Sequence, residues 1–250
     1  MAATAQILGK IAVSAGALVM RHYQAAPLSG MSQARLKADR SPVTDADEEA
    51  ERLILAALGE AFPGVPVIAE EEAAAGRIAA IGGRFFLVDP LDGTKEFLSR
   101  NGEFTVNIAE VVDGMPVAGA VYAPALSRLF SASAAGAFEG TQPIRARRAP
   151  GDGLVAVGSR SHKDAATAEF LKTYAVKEFI SAGSSLKFCL VAAGEADIYA
   201  RGGCTMEWDT AAGHAVLAAA GGSVKDWNGA PLLYGKPGFE NPAFVARGIL

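Results

Sequence analysis

Asp89 and Asp92 stand three residues apart in the stretch Phe85-Phe86-Leu87-Val88-Asp89-Pro90-Leu91-Asp92-Gly93-Thr94-Lys95-Glu96-Phe97. Two carboxylates at this spacing, with a backbone carbonyl between them, make an oxygen-rich corner of the kind that hard divalent cations take as ligands. Two more acids sit where chain direction changes. Glu70 opens Glu70-Glu71-Glu72 after a short apolar run, and Asp209 lies near the start of an Ala-rich helical stretch stopped by Gly221-Gly222. Four carboxylates in one site repel each other unless cations hold them, so the convergence of Glu70, Asp89, Asp92 and Asp209 would imply bound metal. Ligation without histidine or thiolate points to Mg²⁺ before zinc or iron, and two metals roughly 4 Å apart suit an in-line displacement at phosphorus.

Gly93 and Thr94 extend this logic. Backbone N–H groups at a tight turn leading into a helix bind phosphate oxygens, and glycine lets the phosphate approach closely. A threonine hydroxyl beside the metals orients a water if an acid accepts its proton, and Asp47 is the candidate acceptor. Each residue also has a plainer reading. Thr44, Asp45 and Asp47 precede a periodic apolar pattern, so capping a helix is the favoured role on residue types alone. Three consecutive glutamates are more often a solvated face. Asp209 would equally serve as a cap, as would His162, and Lys187 would be a solvated helix residue.

The elements that must position these groups follow from periodicity and turn residues. Phe85 to Val88 reads as a buried strand that Pro90 and Asp92-Gly93 bring to a stop. Residues 4–24 form an amphipathic helix pattern, and the polar stretch 27–40 reads as a mobile loop or hairpin exposing Lys37, Asp39 and Arg40. Strand patterns at 102–112 and 115–122 flank an Asp113-Gly114 hairpin turn, and two more follow at 127–133 and 136–139. The basic, then Pro/Gly-rich stretch 145–153 marks a boundary. Beyond it strands and helices alternate, and the strand ends carry Ser159-Arg160-Ser161-His162, Gly183-Ser184-Ser185 and Arg201. The expected organisation is an α/β protein: an N-terminal α+β half, 1–145, with an antiparallel sheet, and a C-terminal α/β half, 146–250, with a mixed sheet.

Half of the 250 residues are hydrophobic and 20% are charged, which specifies a globular chain with ample core. The formal net charge of -4 argues against binding a nucleic acid polymer, while a local cation cluster suffices for a small phosphorylated ligand. Cys189 and Cys204 lack metal-type spacing and read as packing residues in a reducing compartment. The first residues lack a signal-peptide layout, and no run approaches the roughly 20 apolar residues that span a bilayer. No transmembrane segment and a cytoplasmic location are therefore expected; peripheral attachment at the inner membrane and the choice between monomer and homodimer stay open.

Asp47 after Ser41-Pro42-Val43-Thr44, the Glu70-Glu71 pair, Asp89-Pro90-Leu91-Asp92-Gly93-Thr94, and Trp208-Asp209-Thr210-Ala211-Ala212-Gly213 together resemble the inositol monophosphatase-like superfamily of metal-dependent, lithium-sensitive phosphatases. The resemblance covers nearly the whole chain. Lys95-Glu96-Phe97, Tyr122-Ala123-Pro124, Ser159 to His162 and Gly183 to Val191 are similar to its bacterial 3'(2'),5'-bisphosphate nucleotidase branch; inositol phosphatases typically read Thr/Ser-Asn where this chain has Lys95-Glu96.

The resemblance implies a layered α-β-α-β-α sandwich and two or three Mg²⁺ per active site, held by Glu70, Asp89, the Leu91 carbonyl, Asp92 and Asp209. It makes Asp47, Thr94 and Glu70 the residues that prepare a water. Gly93, Thr94, His162, Ser185, Lys187, Arg201 and Asp209 would meet the substrate. The implied reaction removes the 3'-phosphate of adenosine 3',5'-bisphosphate, giving AMP and phosphate and clearing a by-product of sulfate assimilation. An inositol-1-monophosphatase or sugar phosphatase is the alternative within enzymes. A non-catalytic nucleotide- or cation-sensing protein is the alternative outside them.

Overall fold

In the computed structural model, which describes residues 3–25, 35–36, 42–159 and 164–249, the chain opens with α1 (Ala3–Ala25). The two-residue strands β1 (Arg35–Leu36) and β2 (Pro42–Val43) precede α2 (Asp45–Ala61). Then come β3 (Val67–Ala69), the short α3 (Glu70–Ala74), β4 (Arg84–Asp92) and α4 (Thr94–Leu98). The meander β5 (Thr105–Val112), β6 (Met115–Ala123), β7 (Arg128–Ser133), β8 (Gly136–Glu139) and β9 (Gln142–Ile144) completes a seven-stranded sheet in sequential order from β3. Its pairings are antiparallel except β3 with β4.

The rest of the chain supplies β10 (Leu154–Gly158), α5 (Ala165–Leu171), β11 (Val176–Ser181), α6 (Leu186–Ala192) and β12 (Ile198–Arg201). It continues through β13 (Thr205–Met206), α7 (Glu207–Ala219), β14 (Ser223–Asp226), β15 (Glu240–Asn241) and β16 (Phe244–Arg247). Five of these strands form a mixed sheet ordered β11-β10-β12-β16-β14, parallel from β11 to β12 and antiparallel beyond.

The layers follow from the two-residue period of β4, which sends successive side chains to opposite faces. Phe86 and Val88 are buried with Ile54 and Leu58 of α2 and Leu8 and Val19 of α1. Phe85 and Leu87 are buried on the other face with Phe188 of α6, Val216 and Leu217 of α7, and Tyr199 and Phe244 of the smaller sheet. That sheet's outer face packs Ala156, Ile198 and Val245 beneath Phe170 and Leu171 of α5. The result is a five-layer α-β-α-β-α sandwich. Each large side chain fully removed from water contributes roughly 1.5–3 kcal/mol, so this shared middle layer ties the two sheets firmly together. Close approach is built in at Gly119 of β6, where an added Cβ would stand 2.9 Å from the Ala212 carbonyl oxygen of α7.

Two elements differ from expectation: β4 does not stop at Pro90 but continues to Asp92, and the first helix is more apolar than expected. α1 is, by length and composition, long and apolar enough to cross a membrane. Its Leu8, Ala12, Ala15 and Val19 recur at helical spacing and are buried, and the helix packs on α2 and on β5, β6 and β7. Apart from 35–36, the polar stretch 27–40 lies outside the described residues, as do Arg160 to Lys163.

Candidate active site

Residues from α3, the β4–α4 turn, α6, β12 and α7 meet around one cleft of about 280 Å³, lined among others by Glu70, Asp92, Gly93, Thr94, Lys187, Arg201 and Asp209. The route by which Asp89 and Asp92 reach it is a bulge. Asp89 pairs with Asn107 and Asp92 with Thr105, so two residues of β4, Pro90 and Leu91, stand opposite the single Val106 of β5. A regular strand would send residues three apart to opposite faces; the extra residue returns both acids to the same one. Proline fits here because the bulge has no ladder hydrogen bond for it to donate. The Leu91 N–H donates to Asp89 Oδ1 at 3.0 Å, folding the strand end onto its own acid.

Gly93 then takes φ +90°, a left-handed conformation that an L side chain rarely adopts, and a Cβ there would sit 2.2 Å from Ser184 Oγ. This turn delivers Thr94 to the start of α4. The Thr94 hydroxyl donates to Asp47 Oδ1 at 3.2 Å and lies 3.4 Å from the Leu91 carbonyl oxygen. Asp47 is buried, and its Oδ2 accepts the backbone N–H of Thr44 at 2.8 Å and the Thr44 hydroxyl at 2.6 Å. The capping role and the site role of Asp47 therefore use different oxygens. Asp209 behaves alike at the start of α7: its Oδ2 accepts the Met206 N–H at 2.8 Å, and the residue lines the cleft.

Asp92 is held by three donors. Ser185 N–H stands 2.7 Å, Asn107 Nδ2 3.1 Å and the Thr105 hydroxyl 3.5 Å from its Oδ2. Burial pushes its carboxyl up, opposed by the Lys187 ammonium and by the Asn107 and Ser185 hydrogen bonds. The Asp89 carboxyl is driven well above the usual carboxylate range by burial, then by Glu70, Asp92 and Asp209. Asp209 is raised in the same way by burial and then by Asp92 and Glu70. The four acids thus lie within each other's field, although among the described residues no three or more Asp, Glu, His or Cys side chains are drawn together tightly enough to hold an ion as they stand. An all-oxygen donor set in which Asp89, Asp92 and Asp209 resist ionising, first through burial and then, at Asp89 and Asp209, through the neighbouring carboxylates, fits a hard divalent cation.

The opposite wall is cationic. Lys187 of α6 is buried, donates to the Ser184 carbonyl at 2.6 Å and stands 5.3 Å from the Tyr199 ring centroid. Burial lowers its pKa to about 8, against the pull of Asp92. Arg201, at the end of β12, keeps a buried Nε without a hydrogen-bond partner among the described residues. A second chamber of about 290 Å³ adjoins the first through Ser159, Tyr199 and Arg201 and is lined by Leu171, Ala168 and Phe179.

Glu70, Asp92, Gly93, Thr94, Lys187, Arg201 and Asp209 line the same cleft, and Asp89 and Leu91 are buried. Lys187 is not a solvated helix residue, because α6 is sandwiched between the two sheets. Ser185 does not line the cleft: its hydroxyl donates to the Asp209 carbonyl and accepts from Asn107 Nδ2 at 2.9 Å. Its neighbour Ser184 lines the cleft instead. His162 lies outside the described residues.

Two contributors escaped the reading of residue types. Asn107 is fully buried in β5, and Glu51 is buried on α2, its carboxyl raised to about 7 by burial. Both carried a signal: Asn107 interrupts an apolar strand interior, and Glu51 falls on the helix face of Asp47, Ile54 and Leu58, where burial is expected.

Known proteins resemble this chain in sequence and in fold. The 3'(2'),5'-bisphosphate nucleotidase CysQ of Escherichia coli strain K12 is 46% identical over 239 residues, covering 94% of this chain and 96% of that protein. The Haemophilus influenzae protein of the same name is 30% identical over 231 residues, 85% of this chain and 82% of its own length. Among solved structures, CysQ from Bacteroides thetaiotaomicron superposes with a TM-score of 0.82 at 37% identity, covering 98% and 97% of the two chains. An inositol monophosphatase from Anabaena sp. PCC 7120 gives 0.78 at 26%, covering 98% and 90%. The model of the inositol monophosphatase family matches residues 2–247, and the chain belongs to that family.

Proposed function

We propose that this protein is a Mg²⁺-dependent phosphomonoesterase that hydrolyses the 3'-phosphate of adenosine 3',5'-bisphosphate to AMP and phosphate. The observation that carries the reading is the Thr94–Asp47 hydrogen bond, set on the acid-lined side of a cleft whose other wall presents Lys187 and Arg201. Glu70, Asp89, the Leu91 carbonyl, Asp92 and Asp209 would hold two or three Mg²⁺. Bound there, the ions would neutralise the acids and the phosphate and acidify a water.

Everything else falls to the chain. Asp47 Oδ1 accepts the hydrogen bond of the Thr94 hydroxyl, so that Thr94 Oγ1 can in turn accept one from the attacking water. As that water attacks phosphorus the P–O3' bond breaks; the water's proton passes to Thr94 Oγ1 while the Thr94 proton moves to Asp47 Oδ1, and the 3'-oxygen leaves with the bonding pair and takes a proton from solvent, giving AMP and phosphate. The Gly93 turn brings backbone N–H groups to the transferred phosphate without a side chain in the way. Lys187 and Arg201 supply positive charge for the second phosphate, and the apolar chamber beyond Tyr199 leaves room for the nucleoside. A pure nucleotide or cation sensor has no use for the hydrogen-bonded Asp47–Thr94 pair. The reading is supported by the 46% identity to nucleotidases over nearly full length. It places the enzyme in the cytoplasm, where it would clear a by-product of sulfate assimilation.

A second reading, inositol or sugar phosphate hydrolysis, rests on the fold shared with inositol monophosphatases. Phosphate release from adenosine 3',5'-bisphosphate and from inositol 1-phosphate, both with Mg²⁺, separates the two. The expected result is a large kcat/KM preference for the nucleotide; a preference for inositol phosphate overturns the nucleotide assignment.

A further inference from the structure

Glu51 has no part in the chemistry described so far, yet it is a carboxylate only 3% exposed. Burying such a group is costly unless strong donors meet it. Both of its oxygens are so met: Oε2 accepts the Glu71 N–H at 2.8 Å and Oε1 the Glu72 N–H at 3.0 Å. These are the second and third residues of α3, whose own N-cap is Ala69, which has no side chain to offer. The first turn of a helix has free N–H groups that must find acceptors. Here the acceptor comes from a neighbouring helix, twenty residues earlier in the chain.

The first residue of that same turn is Glu70. A carboxylate that clamps the N–H groups of Glu71 and Glu72 fixes both the rotation of α3 and its distance from α2, and with them the direction of the Glu70 side chain. Glu51 also lies one helical turn after Asp47, on the same face of α2. Successive turns of one helix therefore hold Thr94, through Asp47, and Glu70, through Glu51.

We infer that Glu51 is a positioning residue for the acid cluster: it caps α3 in trans and thereby aims Glu70 at the cation site, at a separation from the Asp47–Thr94 pair set by the pitch of α2. The inference rests on the proposal that these acids bind Mg²⁺. Glutamine at position 51 would keep one acceptor oxygen but turn an amide NH₂ toward the other N–H. α3 would lose half of its cap and its rotational lock.

The experiment titrates the full-length protein with Mg²⁺ and follows Tm, alongside Mn²⁺ binding by electron paramagnetic resonance and steady-state kinetics. Supporting partners of metal ligands typically govern affinity about 10–100-fold. Glu51→Gln is expected to raise the Mg²⁺ and Mn²⁺ midpoints by about 10-fold or more, with substrate KM at saturating Mg²⁺ within about twofold of wild type. Glu70→Gln should shift the midpoints in the same direction. Glu72→Ala, which removes an exposed partner of Arg77 from α3, should leave them in place. Glu51→Asp, one methylene too short to reach both N–H groups, serves if the glutamine variant fails to fold, and it should shift the midpoints likewise. A wild-type protein without any response to either cation overturns the metal reading, and this inference with it. A wild type that responds, beside Glu51 variants with lowered Tm but unmoved midpoints, overturns the positioning role alone.

Discussion

Ser185 donates its backbone N–H to Asp92 Oδ2 at 2.7 Å, while its hydroxyl donates to the Asp209 carbonyl. One residue at the start of α6 therefore holds an acid of the larger sheet and the backbone of an acid-bearing turn of α7. Replacing Ser185 with alanine leaves the Asp209 carbonyl without its hydroxyl donor and takes the acceptor from Asn107 Nδ2. Leaving buried polar groups unpaired in this way costs about 1–3 kcal/mol. Ser185→Ala should unfold at lower denaturant by that amount and lose kcat more than KM, since Ser185 touches the acids and not the cleft.

Thr94→Val removes a hydroxyl without removing volume, and Asp47→Asn removes a proton acceptor while keeping its shape. Positioned general base catalysis contributes about 10²–10⁴-fold. Each variant should lower kcat by a factor in that range with KM nearly unchanged, and the double variant should lose little more than the worse single one. Phosphate release at saturating Mg²⁺ measures this; undiminished turnover in Asp47→Asn removes the relay.

Lys187→Met keeps the aliphatic stem against Tyr199 and deletes the charge. Hydrogen bonds to charged groups are worth about 1.5–3 kcal/mol, or roughly 10–150-fold in kcat/KM. That loss should fall on adenosine 3',5'-bisphosphate and largely spare a substrate with a single phosphate. Equal losses on both would remove Lys187 from second-phosphate recognition.

Chelation should abolish turnover and Mg²⁺ should restore it. Ca²⁺, larger and looser in its geometry, should compete with Mg²⁺ and inhibit. Mg²⁺ should also raise Tm, because it compensates the burial that lifts the carboxyls of Asp89, Asp92 and Asp209 and the neighbouring carboxylates that add to it at Asp89 and Asp209. Activity in the presence of excess chelator would contradict this.

His214 supplies a test of the fold alone. It is buried on α7 with Nδ1 3.0 Å from the Tyr234 hydroxyl, and burial lowers its pKa to about 4. Between that value and the ordinary one near 6.5, the unfolded chain takes up a proton that the folded chain refuses. Its contribution to stability is present in full above about pH 6.5 and is lost as pH falls toward 4, on the order of 3 kcal/mol across the window. The Glu51 carboxyl, raised to about 7, acts in the opposite sense, favouring the fold as pH falls. Tm between pH 7 and 5 should therefore be compared with that of His214→Asn, in which the acid-side loss attributed to His214 should disappear.

Much of the site was legible because its residues write their own geometry. Pro90 reads as the end of the strand, whereas β4 runs through it to Asp92 with the bulge that aligns the two acids; the turn expected at Gly93 is present and left-handed. The capping and catalytic readings of Asp47 looked like alternatives, yet a carboxylate has two oxygens and this one serves both. Which serine of Gly183-Ser184-Ser185 faces the cleft was not legible. One residue of phase at the start of α6 decides it, and Ser184 at φ +53° sets that phase. Lys187 read as solvated because a short helix shows no sign of being enclosed by two sheets. The support from Asn107 and Glu51 depends on partners 78 and 20 residues away, a distance that local patterns do not span.

The double duty of Asp47 and Asp209 changes what an inactive variant means. Each carboxylate reaches back to the N–H of the residue that precedes its helix, so alanine at either position frays α2 or α7 by about 0.5–2 kcal/mol along with any loss of chemistry. α7 belongs to the middle layer that joins the sheets, and damage there reaches both. A dead Asp209→Ala enzyme is thus weak testimony for metal binding. Changes that keep the cap and touch only the cleft-facing atoms, such as Thr94→Val, are the sound way to dissect this catalyst, and the same arithmetic leaves evolution few routes to silence the enzyme without also loosening its frame.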